Sequence, residues 1–219
     1  MNLNDKKKER INKRKAKRKN EILNIALEVF SEKGIDQTNM TDIAKASEVG
    51  VATLYRYFSN KTNLVIETGV EAWYQVNSKY MEEATLILNS EVLSITKLEN
   101  LMNLFYKIFT KEKAFVCFLD GFDNYIINNN VSTDMLEAYE NEIFQIDPYV
   151  YEIYNAGLED ESIKEMEDIE LFIRTLGHTL LALSQKAFIR NQIIKSDNKL
   201  RLMDEMKLMI EMVINYAKR

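Results

Sequence analysis

The positions of apolar and polar residues along the chain predict helices throughout. In EILNIALEVFSEKG, residues 21–34, Ile22, Ala26, Val29 and Phe30 recur at helical spacing and form one stripe, and Gly34 provides a natural helix end. Stripes of the same period continue along the chain, and the sequence lacks the long alternating runs of Val, Ile and Thr that indicate strands. The sequence therefore predicts an all-α fold.

The segment after Gly34 predicts a short helix followed by a tight turn. Asn39 and Asp42 stand three residues apart, the spacing of a capping box, and begin a helix in NMTDIAKAS, residues 39–47. EVG, residues 48–50, then turns the chain, and Val49 is expected to fill the small core between the helices.

The stretch GVATLYRYF, residues 50–58, predicts a second helix with an outward face suited to DNA. Leu54 and Phe58 stand four apart and anchor the helix. The other side offers a guanidinium that bridges a phosphate or reads guanine, phenols that bond phosphate, and small apolar groups that fit a thymine methyl. The alternative is that Tyr55 and Tyr57 are half-buried scaffold. The predicted DNA contacts on this helix are Gly50, Val51, Ala52, Thr53, Tyr55, Arg56 and Tyr57.

Charge is distributed unevenly along the 219 residues, whose net charge is −5. Residues 1–64 carry 14 basic and 8 acidic residues, a net charge of +6, whereas the rest carry 15 and 26, a net charge of −11. Ten of the basic residues lie in KKKERINKRKAKRK, residues 6–19. A basic end on an acidic protein favours contact with phosphate over a merely solvated face.

The segment TNMTDIAKASEVGVATLYRYFSNKTNL, residues 38–64, resembles the DNA-binding segment of the TetR family of bacterial transcriptional repressors. The shared elements, in register, are Ile43-Ala44, Val49, Thr53-Leu54-Tyr55, Tyr57-Phe58, Lys61 and Leu64. The resemblance implies that the recognition-helix residues named above face DNA.

The resemblance also implies roles for two residues outside that helix, and the sequence departs from the family at two others. Thr41 is expected to face DNA, and Lys61 to touch a phosphate with help from the dipole of its helix N-terminus. The usual turn glycine is Glu48 here, and the usual serine at the start of the recognition helix is Gly50. Both departures bear on base preference.

The chain is predicted to divide into a basic arm that runs into the first helix (residues 1–20), a helix-turn-helix domain (residues 21–64) and a ligand-sensing and dimerisation domain (residues 65–219). One long helix is expected to reach about Asn89, and Pro148 is expected to bend or restart another, which Gly157 ends. The last two segments, residues 168–190 and 200–219, are apolar around much of their circumference, which predicts a homodimer built as a four-helix bundle. The alternative is a thick monomeric core.

Aromatic residues crowd the middle helices, where the resemblance places the effector. The sequence predicts a small-molecule inducer that is flat or amphipathic and either cationic or neutral, held by ring stacking and, if cationic, by cation–π contact and the charge of Asp120 or Asp123. The same rings would equally suit a filled core. The predicted ligand contacts are Trp73, Phe105, Phe109, Phe118, Asp120, Phe122, Tyr125, Tyr151 and His178.

Catalysis, a cofactor and a metal site are not expected. His178 is the single histidine, which excludes repeated Glu-x-x-His di-metal sites, and Cys117 lies in an apolar run without a histidine near it in sequence. The charged N-terminus and the absence of a long apolar run predict a soluble, cytoplasmic protein that does not enter the membrane.

The sequence as a whole predicts a ligand-responsive repressor that binds a palindromic operator in double-stranded DNA as a homodimer and is released by a small-molecule inducer. A non-sensing architectural DNA-binding protein with a filled core is the alternative. An all-helical carrier or enzyme would leave the helix-turn-helix unexplained.

Overall fold

The computed structural model describes residues 3–143, 145, 147–190 and 199–219. These residues form ten α-helices and contain no strand, only one isolated bridge between Ile163 and Lys218, so the predicted all-α fold is confirmed. Within the described ranges, no helix is both long and apolar enough to cross a membrane. The helices are α1 (Leu3–Lys33), α2 (Met40–Ala46), α3 (Val51–Phe58), α4 (Lys61–Leu88), α5 (Ser94–Lys111), α6 (Lys113–Asn128), α7 (Glu137–Ile143, preceded by a 3-10 turn at Thr133–Leu136), α8 (Asp147–Glu159), α9 (Ile169–Ile189) and α10 (Lys199–Ala217).

Backbone packing divides the chain into two compact units. Unit 1 comprises Met1–Tyr74 and Phe118–Glu140, and unit 2 comprises Gln75–Cys117 and Asn141–Arg219. The domain boundary predicted after Leu64 differs from this division and falls in the first turn of α4. Helix α4 continues through this position, where Leu64 and Val65 are both fully buried, and the first change of unit falls further along the same helix, after Tyr74. The described part of the predicted basic arm is the first half of α1 and not a separate segment.

The core of unit 1 joins the first three helices. From α1, the predicted stripe contributes Ile22, Ala26 and Phe30, all at most 2% exposed, whereas Val29 is only partly buried. Gly34 ends the helix with a left-handed φ of 85°, a conformation that glycine adopts without steric strain. The end of α1 is therefore formed as the sequence predicts.

An aromatic cluster from α4, α6 and α7 extends this core. Phe118 packs against Phe30 with 6.2 Å between ring centroids, and Phe122 stacks on Tyr139 at 4.3 Å. Gly69 allows this stack, because a Cβ added there would lie 2.9 Å from the Tyr139 ring. Burial raises the pKa of Tyr139, which a hydrogen bond with Trp73 partly opposes. These rings tie α6 and α7 to the helix that follows the helix-turn-helix.

In unit 2, α5 packs against α8, α9 and α10. The N-terminus of α5 is capped by residues far away in the sequence, because the preceding residue, Leu93, has no side-chain acceptor. The amide of Ser94 donates to Asp160 at 2.7 Å, and the amide of Ile95 donates to the hydroxyl of Ser162 at 3.0 Å. The loop after α8 thus satisfies backbone donors at the start of α5.

The chain restarts at Asp147, directly before Pro148, as predicted, but α8 continues two residues beyond the predicted end at Gly157. Gly157 is buried inside the helix, and a Cβ added there would overlap Ile163. This glycine therefore permits a close approach of the following loop and does not end the helix.

We expect Asp160→Asn to lower the free energy of unfolding by about 1 kcal/mol at pH 7, because neutralising the carboxylate weakens its bonds to Ser94 and Ser162. Burial alone would raise the pKa of Asp160, but the hydrogen bonds from these serines outweigh it and lower the pKa to about 2. A depressed pKa in the folded state stabilises the fold above the ordinary value of 3.8, and this contribution is lost as the pH falls towards 2.

The measurement is urea denaturation of wild type and Asp160→Asn at several pH values. The difference between the two proteins should shrink from pH 5 to pH 2. A difference that persists unchanged at pH 2 would contradict the role assigned to the ionised carboxylate.

Candidate DNA-binding surface

The helix-turn-helix of unit 1 is built from local hydrogen bonds. Asn39 Oδ1 accepts from the amide of Asp42 at 2.9 Å, and the Asp42 carboxylate accepts from the amide of Asn39 at 3.0 Å, so the predicted capping box is confirmed. The amide of Val49 donates to the carbonyl of Ala44 at 2.9 Å and closes the turn. Gly50 is the N-cap of α3.

The recognition helix α3 has one buried face and one exposed face. Leu54 and Phe58 are at most 1% exposed and anchor it, as predicted. Tyr55 is 47% exposed. Arg56 is also exposed, and its guanidinium lies 3.3 Å from the hydroxyl of Thr53. Of the seven contacts predicted from α3 and its N-cap, Gly50, Val51, Ala52, Tyr55 and Arg56 are exposed, while Thr53 and Tyr57 are partly exposed.

The two predicted contacts outside α3 also lie in unit 1. Thr41 is exposed in the first turn of α2, and Lys61 is the first residue of α4. The ammonium of Lys61 donates to the carbonyl of Asp36 at 3.4 Å and lies 5.3 Å from the ring centroid of Tyr125. Burial lowers the pKa of Lys61, and the negative charge of Asp36 partly opposes this.

The basic half of α1 includes residues that hold the helix-turn-helix together. Arg18 donates to the carbonyl of Ser47, the C-cap of α2, at 2.7 Å and pairs with Glu21. Lys19 pairs with Glu67, and residues 5–17 are exposed. Sequence reasoning missed the structural role of Arg18, because its partner lies 29 residues away and no local pattern signals the contact.

Glu48, where the family usually has glycine, adopts a left-handed φ of 53°. We expect Glu48→Gly to raise the free energy of unfolding by about 0.5–1 kcal/mol, because relief of the steric strain exceeds the added entropy of the unfolded chain. Glu48→Gln is the control, since it removes the charge but keeps Cβ, and its stability should match that of wild type. Equal stability of Glu48→Gly and Glu48→Gln in urea denaturation would contradict this prediction.

The nine residues predicted to bind ligand do not belong to one unit. Trp73, Phe118, Asp120, Phe122 and Tyr125 lie in unit 1, whereas Phe105, Phe109, Tyr151 and His178 lie in unit 2. Ring contacts join two pairs, Phe118 with Phe122 at 5.7 Å and Phe105 with Phe109 at 6.3 Å. The helical period identifies apolar faces but not which faces meet, so the sequence could not assign these residues to units, and the ligand contacts stay a prediction.

The exposure of these residues also varies. Phe109, Phe118, Phe122 and Tyr125 are buried, and Trp73, Phe105, Asp120 and Tyr151 are partly buried. His178 is exposed, as is Asp123, the second residue considered as a source of ligand-binding charge.

Unit 2 contains an apolar cavity among α5, α8 and α9. Its volume is about 10 Å³, enough for about one water molecule. An organic ligand therefore fits there only if the surrounding helices separate. The lining residues are Leu98, Val150, Tyr154, Ile163, Met166, Ile169 and Phe172.

Comparison with known proteins places residues 22–68 in the family model described as bacterial regulatory proteins, tetR family. The chain is 45% identical over 51 residues to the HTH-type transcriptional regulator LuxR of Vibrio harveyi, a match that spans about a quarter of each protein. It is 28% identical over 165 residues to the HTH-type transcriptional repressor KstR2 of Rhodococcus jostii (strain RHA1), covering 75% of this chain and 77% of KstR2.

A solved structure shares the fold over nearly the whole chain. The transcriptional regulator FadR from Bacillus subtilis, in complex with stearoyl-CoA, superposes with a TM-score of 0.65 at 18% identity, over 90% of this chain and 97% of FadR. This likeness concerns the fold, while the matched helix-turn-helix segment carries the family's sequence pattern. The matched segment therefore identifies residues 22–68 as a DNA-binding segment of the TetR family, and the chain as a whole is similar to transcriptional regulators of that kind.

Proposed function

We propose that the protein is a transcriptional repressor that binds an inverted-repeat operator as a homodimer and is released by a small-molecule inducer. The observation that carries the proposal is the outward face of α3, which exposes a tyrosine, an arginine and small apolar residues on a helix anchored by two fully buried side chains. Such a face on a helix-turn-helix fits the major groove.

Some residues of this face would contact bases and give sequence specificity, and others would contact the DNA backbone and position the helix. The guanidinium of Arg56 bonds guanine or a phosphate, and the phenols of Tyr55 and Tyr57 bond the backbone. Val51 and Ala52 offer apolar surface to a thymine methyl. Thr41 and Lys61 contact the phosphates on either side of the groove, and the exposed basic residues of α1 add affinity that depends strongly on salt.

The exposed apolar residues of α9 and α10 support a homodimer. These two helices pack against each other in unit 2 and leave large apolar side chains in solvent. A second copy of the pair would cover them as a four-helix bundle. The residues are Leu171, Ile189, Leu208, Met212 and Tyr216, each at least 41% exposed.

Met212→Ala should weaken the dimer about 30- to 1000-fold, because a methionine that becomes buried on association contributes roughly 1–2 kcal/mol, and the substitution removes one from each of the two protomers. Sedimentation equilibrium measures the dissociation constant. Leu86→Ala is the matched control, since Leu86 is 66% exposed but lies on α4, outside the proposed interface. Equal effects of the two substitutions would contradict the proposed interface.

Two classes of inducer follow from different observations. The sequence favours a cationic or neutral amphipathic molecule, on account of the aromatic residues and Asp120 or Asp123. The fold shared with FadR, whose structure contains stearoyl-CoA, favours a long-chain acyl-CoA. Either molecule needs more room than the 10 Å³ cavity among α5, α8 and α9 gives, so binding in that cavity would select a conformation with these helices further apart.

Release from DNA would then follow from a population shift. Helix α4 begins in unit 1, directly after the recognition helix, and continues into unit 2. An inducer that favours one position of α4 and an operator that favours another weaken each other's binding by the same factor.

The second candidate function is a DNA-binding protein that senses no ligand. The contacting rings of Phe118, Phe122 and Tyr139 in unit 1 favour it, because they already fill space that sequence reasoning assigned to a ligand. The fluorescence of Trp73, the only tryptophan, separates the two functions when operator release is followed in parallel.

The experiment titrates cationic amphipaths, neutral hydrophobic compounds and long-chain acyl-CoA against the protein bound to DNA. Release of DNA by one class, with a saturable change in Trp73 fluorescence at the same concentrations, is the expected result. Binding that changes the fluorescence but never releases DNA would contradict the proposed coupling.

A further inference from the structure

Tyr125, near the end of α6, contacts two consecutive residues at the start of α4. Its side chain is only 5% exposed. Its hydroxyl lies 3.1 Å from the hydroxyl of Thr62, and its ring centroid lies 5.3 Å from the ammonium of Lys61. All three residues belong to unit 1.

These contacts restrict where the Lys61 ammonium can lie. A lysine side chain on a helix surface ordinarily samples many rotamers and loses this entropy when it binds a phosphate. Here the negative face of the Tyr125 ring and the carbonyl of Asp36, 3.4 Å away, attract the ammonium from two sides. The Thr62–Tyr125 hydrogen bond fixes the backbone that carries it. A pre-positioned cation binds a phosphate at a lower entropic cost than a mobile one.

We propose that Tyr125 is a positioning residue for operator binding, whose ring holds the Lys61 ammonium where it meets a DNA phosphate and whose hydroxyl fixes the first turn of α4 through Thr62. The inference rests on the proposed function. The contact between Lys61 and a phosphate would then depend on a residue of α6, although Tyr125 and Lys61 are 64 positions apart in the sequence.

The test measures the salt dependence of operator binding in the full-length protein. Each phosphate neutralised adds about 0.9 to the slope of log K against log salt, which corresponds to about fivefold in affinity at 0.15 M salt. Lys61→Met should lower the slope by about 0.9. Tyr125→Leu should keep the slope, because Lys61 still neutralises the phosphate, but it should weaken operator binding at least twofold and weaken it no further in the Lys61→Met background. Tyr125→Phe keeps the ring and loses only the hydrogen bond to Thr62, so it should lose less affinity than Tyr125→Leu. Wild-type affinity in Tyr125→Leu, or an equal loss in the Lys61→Met background, would overturn the inference.

A second variant keeps the test decisive if Tyr125→Leu does not fold. Replacing Tyr125 by 3,5-difluorotyrosine retains nearly the same volume but weakens the negative face of the ring. Because the fluorines also make the hydroxyl more acidic, binding is measured at about pH 6, where the hydroxyl stays protonated. It should weaken operator binding at least twofold when Lys61 is present and leave binding unchanged in Lys61→Met. Equal effects in both backgrounds would overturn the inference.

The outcome for wild type separates this inference from the function on which it rests. Wild-type protein that fails to bind any duplex DNA overturns the proposed function. Wild-type protein that binds its operator, with an unchanged slope in Lys61→Met, overturns only the inference about Tyr125 and Lys61.

Discussion

Replacing Leu54 by alanine is expected to lower the free energy of unfolding by about 2–5 kcal/mol. Leu54 is fully buried in α3, where it stands one turn before Phe58 on the anchoring face. Truncation removes apolar contact and leaves a cavity that the short helix cannot collapse without moving its other anchor. The loss would be a large fraction of the stability of an ordinary domain.

Urea denaturation followed by circular dichroism measures this effect, and Tyr55→Ala is the matched control. Tyr55 is the next residue on the same helix but is 47% exposed, so its truncation should change stability by no more than about 0.5 kcal/mol. If the two variants were equally stable, the assignment of buried and exposed faces on α3 would be wrong.

Replacing Arg56 by alanine should weaken operator binding by about 5- to 150-fold, or 1–3 kcal/mol, if the guanidinium reads a base. Its side chain is exposed and its hydrogen bond to Thr53 is local, so the fold should not change. Tyr57→Ala should also weaken binding, but Tyr57 packs beside Phe58 and under Lys15, so part of its effect would come through the helix itself.

Fluorescence anisotropy with the operator and with an unrelated duplex measures both affinities. Lys113→Ala is the control for charge, since it removes one positive charge from an exposed position in unit 2. If Arg56→Ala loses no more affinity than Lys113→Ala, the exposed face of α3 does not contact DNA and serves only as scaffold. Equal losses on the operator and the unrelated duplex would indicate a phosphate contact and not base readout.

The helix-turn-helix could be predicted because its determinants are local. Asn39 and Asp42 cap a helix from three residues apart, and Leu54 and Phe58 share a face because they stand four apart. Each of these interactions lies within one helical turn, where spacing alone decides which side chains meet. Helix α4 was likewise expected to end near Asn89, and it ends at Leu88.

The remaining features depend on contacts between distant segments. The sequence could not show that Arg18 contacts the carbonyl of Ser47, or that Asp160 caps a helix 66 residues earlier. It also could not show that residues 118–140 belong with the helix-turn-helix, because amphipathic spacing identifies a buried face without identifying its partner. The nine predicted ligand contacts, which were chosen from the aromatic and acidic residues of the middle helices, lie in both units and stay a prediction.

The proposed function requires two copies of this chain to read one symmetric DNA site. The measurement is a genome-wide selection of bound duplex fragments, followed by footprinting of the DNA upstream of the gene and its neighbours. We expect an inverted repeat protected by one dimer, with half-sites about 34 Å or slightly further apart, and loss of protection in Arg56→Ala. Binding by a monomer without a symmetric site, or equal protection of unrelated duplexes, would contradict it.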